Sequence, residues 1–422
     1  MRIMVVGEGG REHALCWKLA QSPRVEKILC TPGNGGTAGT PKCKNYPLAS
    51  LQEQVQLAVD NEVDLAVIGP EGPLVMGMAD ILREAGIPTV GPGKAAAALE
   101  GSKAFAKDFM MRYGVKTADY RRFHKSEFQE ALQYLETIKY PVVVKADGLA
   151  AGKGVTIHKT KAEAQAQLHA LFIDEVLGES GHTVLFENFI QGREVSVIVL
   201  LDGNQVLPLI SAMDYKRIGE QDTGLNTGGM GAIAPNPFYT DTHRRRFEES
   251  ILNPTIKGLK SENLDYRGVL YFGLMMTEED VYLLEYNVRF GDPETQAIIP
   301  LLNKDLAQLL YDLALGQLSE TPLSCYDGSA CSVVVASGGY PGEYKSGMPI
   351  QIDLPIAASI FIAGAQEIDT ENGAGRLCTS GGRVLSVTGV DRDLTSACRQ
   401  AYAALENIYF EGRYYRRDIG KI

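Results

Sequence analysis

Within the first 92 residues, short apolar runs alternate with helical segments, and few folds accept that alternation. Met1–Gly7 reads as a buried strand, Gly7, Gly9 and Gly10 as a turn, and Glu12–Gln21 as a helix. Lys27–Thr31 is a second strand, Leu51–Asn61 a helix and Leu65–Gly69 a third strand. Met78–Ala85 is helical and Pro88–Val90 a short strand. Strands that alternate with helices form a parallel sheet covered on both faces. The chain is therefore expected to open with a small doubly wound α/β domain. Ligands of such sheets bind beyond the carboxyl ends of the strands. The turns after the first and third strands, the latter carrying Glu71, thus belong to one candidate site. The turn Gly9-Gly10-Arg11 suits a small phosphate, since helix N-terminal amides face the anion. It serves equally as a plain tight connection. A nicotinamide dinucleotide is disfavoured: Glu12 stands where G-x-G-x-x-G needs its third glycine. The second strand also ends in Cys30, Thr31 and Pro32 rather than a ribose-binding acid. A further glycine-rich loop, Gly33–Gly39, carries Asn34 and Thr37.

Beyond Pro92–Gly93, a helix is expected over Ala95–Tyr113, and its Lys103 taken alone reads as solvated surface. The strand Pro141–Ala146 ends near Lys145, and Asp147–Gly154 reads D-G-L-A-A-G-K-G before a second strand, Val155–His158. Such a hairpin tip brings backbone close to phosphate; a glycine-rich hairpin without a ligand is the alternative. It is not a P-loop, because strand rather than helix follows. Glu187 and Glu194 flank the turn that contains Asn188, Ile190 and Gln191-Gly192, two carboxylates suited to an adenine amino group and ribose hydroxyls. Asp214–Pro235 shows no periodicity and reads as one long functional loop. Its Asn226–Gly231 part, which includes Gly229, Met230 and Gly231, offers backbone amides to a carboxylate or a developing oxyanion. The strand Gly268–Met276 pairs with Val281–Asn287. Within the latter, Glu285 and Asn287 lie two residues apart and so share a face. A carboxylate and an amide oxygen side by side suit a hard cation such as Mg2+; a solvent-facing strand end with an ion pair is the bland alternative. Arg289 follows, then the polar turn Gly291-Asp292-Pro293. Ile298–Leu315 is helical. The tail is α+β with a helix over Leu394–Asn407, and Arg413, Arg416 and Arg417 near its end read as solvated surface.

Bulk properties narrow the function. The net charge of −11, from 41 basic and 52 acidic residues, argues against nucleic-acid or anionic-membrane binding. No stretch reaches the ~20 apolar residues of a membrane span, and Ile3–Val6 is too short for a signal peptide. Seven cysteines without C-x-x-C spacing read as reduced thiols, mostly small core residues, in a cytoplasmic protein. The six histidines show no metal-ligand spacing.

Glycine-rich hairpin, strand lysine, paired carboxylates, long polar loop and Glu-x-Asn strand occur in this order over about 190 residues. In that order the chain resembles the ATP-grasp superfamily and, within it, the phosphoribosylamine–glycine ligases (glycinamide ribonucleotide synthetases). The resemblance spans the chain. It is carried by GEGGREHA at 7–14, PGN at 32–34, GPE at 69–71, GSK at 101–103, KADGLAAGKG at 145–154, DYKRIGEQDTGLNTGGMG at 214–231, RFGDPETQ at 289–296 and RDIG at 417–420. It implies a doubly wound N-terminal α/β domain (1–100), an ATP-grasp core of two α+β subdomains (101–322, lid about 121–190) and a small C-terminal α+β domain (323–422). It implies an ATP-dependent ligation of glycine to 5-phosphoribosylamine through glycyl phosphate, with Mg2+ or Mn2+. On the matching positions, Lys103, Lys145, Gly152, Lys153, Gly154, Glu187, Asn188, Ile190 and Glu194 would hold ATP, and Glu285 and Asn287 the metal. Asp214, Gly229, Gly231 and Arg289 would surround glycine and its acyl phosphate. Gly9, Gly10, Arg11, Asn34, Glu71, Asn226, Met230 and Asp292 would serve substrate binding. A monomer or weak homo-oligomer is expected, with transient contact to the enzyme that makes phosphoribosylamine. Two positions depart from the family: Glu8 sets an acid beside the proposed phosphate turn, and Ser380 replaces a usual Asn. The rival readings are another ATP-grasp carboxylate–amine ligase, a nicotinamide oxidoreductase and a non-catalytic ATP sensor.

Overall fold

The computed structural model describes residues 1–149, 154–369 and 375–422. The opening alternation gives a five-stranded parallel sheet. Its strands run, side by side, Cys43–Asn45, Lys27–Pro32, Arg2–Gly7, Leu65–Ile68 and Thr89–Val90. Successive residues of Arg2–Gly7 enter different cores, as the two-residue strand period requires. Ile3 and Val5 pack with Leu15 and Leu19 of the helix Gly10–Leu19. Met4 and Val6 pack with Ala58, Leu74 and Leu82 on the other face. Sequence order reverses between Arg2–Gly7 and Leu65–Ile68, so a crevice opens beyond Gly7 and Ile68.

The helix expected over Ala95–Tyr113 is two helices, Lys94–Gly101 and Lys103–Tyr113. Ser102 leaves the helical conformation, and its side chain accepts from the Phe105 amide to cap the second helix. Lys103 therefore stands at a helix start rather than in mid-helix. A small antiparallel sheet follows, with strands Tyr120–His124, Thr183–Asn188, Val142–Ala146 and Val155–His158. Its core is its own: Phe123, Val144, Leu168 and Phe186, with the helices Phe128–Leu135 and Lys161–Phe172 packed against it. The larger antiparallel sheet comprises Val206–Pro208, Arg193–Leu201, Gly268–Met276 and Val281–Asn287. Phe272 and Tyr286 of this sheet share one core with Met4 and Val6 of the first domain, and burying a side chain of that size is worth roughly 1.5–3 kcal/mol. The two units also touch backbone to backbone, since a Cβ on Gly268 would lie 3.0 Å from Gly91 Cα.

The last sheet runs Met213–Asp214, Gly231–Ala234, Ser329–Ala336, Arg383–Asp391 and Ser359–Ile362, backed by the helix Leu394–Leu405. Two of its strands thus come from the segment read as one continuous loop. Between them Arg217–Gly219 and Thr223–Asn226 form a short hairpin. Strands of two to four residues are too short to leave a periodicity in sequence. Arg416, read as solvated, is 1% exposed and pairs with Asp222 and Asp418 at 2.8 and 2.7 Å. It also donates to the Arg217 carbonyl, so the C-terminal run clamps the hairpin instead of facing water. Among the described residues no helix is long and apolar enough to cross a membrane.

Candidate active site

The strand Val281–Asn287 carries an extra residue against its neighbour. Glu285 faces Gly273 and Leu283 faces Leu274, which leaves Leu284 as a bulge. Unbroken alternation would place Glu285 and Asn287 on the face of Val281 and Leu283, both fully buried. The bulge moves the pair to the opposite, partly open face, and Tyr286 and Val288 take over the core. It also frees the Leu284 carbonyl, which accepts from Lys145 Nζ at 2.9 Å. Burial pushes the Glu285 pKa up, but Lys216, Lys145, Lys103 and Arg289 outweigh it and hold the carboxylate below its usual range. A Cβ on Gly273 would lie 3.2 Å from Glu285 Cγ, so the glycine opposite leaves room for the carboxylate to lie flat. An anionic oxygen beside an amide oxygen, with no nitrogen or sulfur donor in the pair, fits a hard divalent cation.

Lys145 also pairs with Glu187 at 3.0 Å, and Lys107 pairs with the same carboxylate oxygen at 3.2 Å. All three side chains are at most 7% exposed. Two cations share one anion, so the cluster carries a net positive charge inside protein. Burial lowers Lys107 to about 8 even though Glu187 opposes the shift. Lys103 is lowered by burial and by Lys145, against the pull of Glu285. Its Nζ donates to the Gly148 carbonyl at 3.0 Å, on the near edge of the glycine hairpin. Gly154, on the far edge, accepts from the Ala146 amide. Gly152 and Lys153 lie outside the described residues. Asn188 is exposed, Ile190 half-buried, and Glu194 reaches Lys216 at 2.9 Å. A net-positive, desolvated cluster beside an oxygen pair is the electrostatic complement of a polyphosphate with its cation.

At the sheet crevice the side chains engage one another. Arg289 bridges Glu71 and Glu100 at 3.1 and 3.0 Å, and Arg11 lies 3.8 Å from Glu71. These arginines hold Glu71 below its usual pKa against the effect of burial, whereas burial raises Glu100. Glu12, 2% exposed, occupies the space that a third fingerprint glycine would leave open. It accepts from the Gly9 amide at 2.6 Å, and a Cβ on Gly7 would lie 2.6 Å from its Cγ. Gly7, at φ +124, is glycine for that reason as well as for its backbone. The Gly10 backbone enters the helix, and the Arg11 amide donates to Asp292 at 3.3 Å. Glu8 is exposed and does not enter the turn. The Asn34 side chain caps its helix through Gly36 and Thr37 and donates to the Glu8 and Ile362 carbonyls. It braces the loop rather than facing the crevice.

The Asn226–Gly231 segment corrects the expectation of free amides. Thr227 and Met230 donate to the Lys216 and Tyr215 carbonyls. Gly228 donates to the Tyr340 hydroxyl and Gly229 to Thr227 Oγ1. Met230 is fully buried, and Asn226 pairs with Arg217 in the hairpin. The segment instead shapes a carboxylate pocket. Gly229, at φ +110, would bring a Cβ within 2.8 Å of Asp214 Oδ1. That oxygen is enclosed and has no hydrogen-bond partner among the described residues. Burial and the neighbouring Glu294 push the Asp214 pKa well up. Gly231 packs against the Ser332 carbonyl in the last sheet. Asp292 pairs with Arg383 at 3.2 Å and accepts from Gln296 at 2.9 Å, so its carboxylate is engaged by protein.

Sequence reading passed over Lys107, Glu100 and Lys216. Lys107 lies four residues after Lys103 and therefore on the same helix face, a signal that was present. Lys216 lies two residues after Asp214. Glu100 gave no signal, because its partner Arg289 is remote in sequence.

Two α+β subdomains that gather Lys103 and Lys145 beside the Glu285–Asn287 oxygen pair define an ATP-grasp protein. A biotin carboxylase from Campylobacter jejuni shares the fold, with a TM-score of 0.73 at 17% identity over 99% of this chain and 94% of its own. More narrowly, the phosphoribosylglycinamide synthetase N domain matches residues 1–100, the ATP-grasp (A) domain 101–295 and the C domain 330–422. The phosphoribosylamine–glycine ligase of Clostridium acetobutylicum is 46% identical over 421 residues, 100% of both chains. That of Escherichia coli K12 is 42% identical over 427 residues, 100% of this chain and 98% of its own. The crystal structure of the Thermotoga maritima enzyme superposes with a TM-score of 0.87 at 35% identity, covering 99% of this chain and 100% of that one. The chain belongs to the phosphoribosylglycinamide synthetase family, the phosphoribosylamine–glycine ligases, as its motifs implied.

Proposed function

We propose that this chain ligates glycine to 5-phosphoribosylamine, converting ATP to ADP and phosphate, in the cytoplasm. The observation that carries the reading is the convergence of three parts on one cleft: the Lys103–Lys145–Lys107 cluster, the Glu285–Asn287 oxygen pair and the enclosed Asp214 oxygen. Glu285 and Asn287 are the residues suited to hold Mg2+ or Mn2+; the ion would offset phosphate charge. Lys103 and Lys145 align the phosphates, since positioning and charge neutralisation dominate phosphoryl transfer. Glu187, with Asn188, Ile190 and Glu194, sits on the nucleoside side. Asp214 accepts the glycine ammonium, which supplies the cation its buried carboxylate lacks and returns it to the ionised form. The glycine carboxylate then attacks the γ-phosphorus, ADP leaves, and glycyl phosphate is held against Arg289. The phosphoribosylamine nitrogen attacks the acyl carbon, phosphate leaves and the amine proton passes to solvent. The crevice residues Arg11 and Glu71 lie where the ribose phosphate would approach. No side chain forms a covalent intermediate.

The test is ADP formation from MgATP and glycine, with and without freshly generated phosphoribosylamine. ADP that accumulates with glycinamide ribonucleotide only when both co-substrates are present supports the reading. A requirement for a different acid or amine would leave the ATP-grasp core and overturn the substrates. ATP binding without turnover would make the chain a sensor.

A further inference from the structure

Three cysteines far apart in sequence meet under the first sheet. Cys16 lies on the helix Gly10–Leu19, Cys30 on the strand Lys27–Pro32 and Cys43 on the strand Cys43–Asn45. The parallel register pairs Cys43 with Ile28. Ile28 and Cys30 share a face by the two-residue period, so Cys30 and Cys43 point to the same side, where the helix presents Cys16. Their Sγ atoms all lie within 4.8 Å of one another, with Cys16 and Cys30 at 3.6 Å. Cys16 and Cys30 are at most 1% exposed, whereas Cys43 opens toward solvent.

We propose that Cys16, Cys30 and Cys43 form a binding site for one thiophilic divalent cation of the zinc class, separate from the Glu285–Asn287 pair. Three ligands at a metal–sulfur distance of about 2.3 Å lie about 3.8–4.0 Å apart, so the widest sulfur pair needs to close by at most about 1 Å. An all-sulfur set rejects Mg2+ and Ca2+ and favours zinc or copper(I). Charge separates those two: three thiolates leave a net −1 around a divalent ion and −2 around a monovalent one, and the buried site disfavours the larger charge. An iron–sulfur cluster asks for a fourth cysteine, which is absent from this cluster among the described residues. Binding converts three thiols and M2+ into an anionic trithiolate and three protons, and a water on the open side of Cys43 completes the tetrahedron. The strand Lys27–Pro32 leads into Asn34 and the strand Cys43–Asn45 ends in Asn45, whose amide donates to the Asn34 carbonyl, so occupancy braces that loop.

The experiment uses the full chain, reduced and stripped by chelator, titrated with Cd2+ as an optical probe. The expected result is a thiolate-to-cadmium ultraviolet band that saturates at one equivalent, disappears on addition of excess Zn2+ and is accompanied by release of protons. Zn2+ also raises the thermal midpoint. Cys43→Ser, at a partly exposed position, keeps the fold and lowers the affinity about tenfold or more. Cys398→Ser removes one thiol of a separate pair, Cys331–Cys398, in the core of the last domain and leaves the band unchanged. A missing one-equivalent band, an equal band in Cys43→Ser or loss of the band in Cys398→Ser would each overturn the proposal.

Discussion

Replacing His13 isolates how the N-terminal turn is tied to the last domain. His13 lies on the first helix, 7% exposed, and its Nδ1 accepts from the Ile362 amide at 2.7 Å. That bond fixes the neutral ring with its proton on Nε2. Burial lowers the His13 pKa from 6.5 to about 4. The folded value lies below the unfolded one, so as pH falls the unfolded chain takes up the proton first. The contribution of the neutral ring is complete above about pH 6.5 and is lost as pH falls toward 4. At ~1.4 kcal/mol per pH unit that loss is roughly 3 kcal/mol. The chain has one tryptophan, Trp17, whose ring meets Phe361 at 5.6 Å, so its fluorescence reports on this junction. Urea unfolding followed at Trp17 should show wild type losing roughly 2 kcal/mol more than His13→Asn between pH 6.5 and 4.5. Asn keeps an acceptor near the Nδ1 position and cannot titrate. Equal pH slopes for the two proteins would refute the reasoning.

Glu285→Gln keeps the size and removes the charge, and should lower turnover about a thousandfold or more at an unchanged melting temperature; a near wild-type rate at limiting Mg2+ would sink the metal assignment. Lys145→Ala should weaken ATP binding about tenfold or more, because a charge-assisted contact is lost, and calorimetry showing unchanged affinity would count against the phosphate role. Gly229→Ala forces a Cβ to within 2.8 Å of Asp214 Oδ1 at φ +110 and should cost about 1–3 kcal/mol. Its glycine KM should rise more than its ATP KM, and equal rises would argue against the Asp214 pocket.

What sequence could show here depended on the range of the interaction. The doubly wound sheet and the paired strands Val142–Ala146 and Val155–His158 rest on local periodicity, and both were legible. The side-by-side Glu285 and Asn287 were legible too, because two residues on a strand share a face. The bulge at Leu284 was not, since it exists only against the register of Gly268–Met276, yet it decides which face the pair takes. Lys107 and Lys145 look like any surface lysine until Glu187 is brought between them. Arg416 looked solvated because Asp222 is almost 200 residues away. The Ser102 break was readable in principle, as a serine followed by a helical run is a cap. The apolar continuity on both sides of it favoured one long helix.

The polar turn after Arg289 joins all three domains. Asp292 accepts from the Arg11 amide of the first domain and pairs with Arg383 of the last sheet. The same guanidinium donates to the Gly228 carbonyl at 2.5 Å and to the Asp292 carbonyl at 3.0 Å. Burial raises the Asp292 pKa, and Arg383 and Arg11 more than reverse it, so the carboxylate stays anionic as the common partner of both neighbours. A Cβ on Gly228 would lie 3.0 Å from Arg383 Cζ, so the glycine segment is shaped around the guanidinium. The chain thus uses its C-terminal sheet to hold Gly228 and Gly229 over Asp214, and its N-terminal turn to hold Asp292 beneath them. Each contact is charge-assisted and largely removed from water, where one unpaired member costs more than the pair contributes. Removing the first or the last domain would take a partner from Asp292 while the Lys145–Glu187 pair stayed intact. On this geometry the proposed nucleotide site belongs to the ATP-grasp core, and the proposed ligation site draws on all three domains.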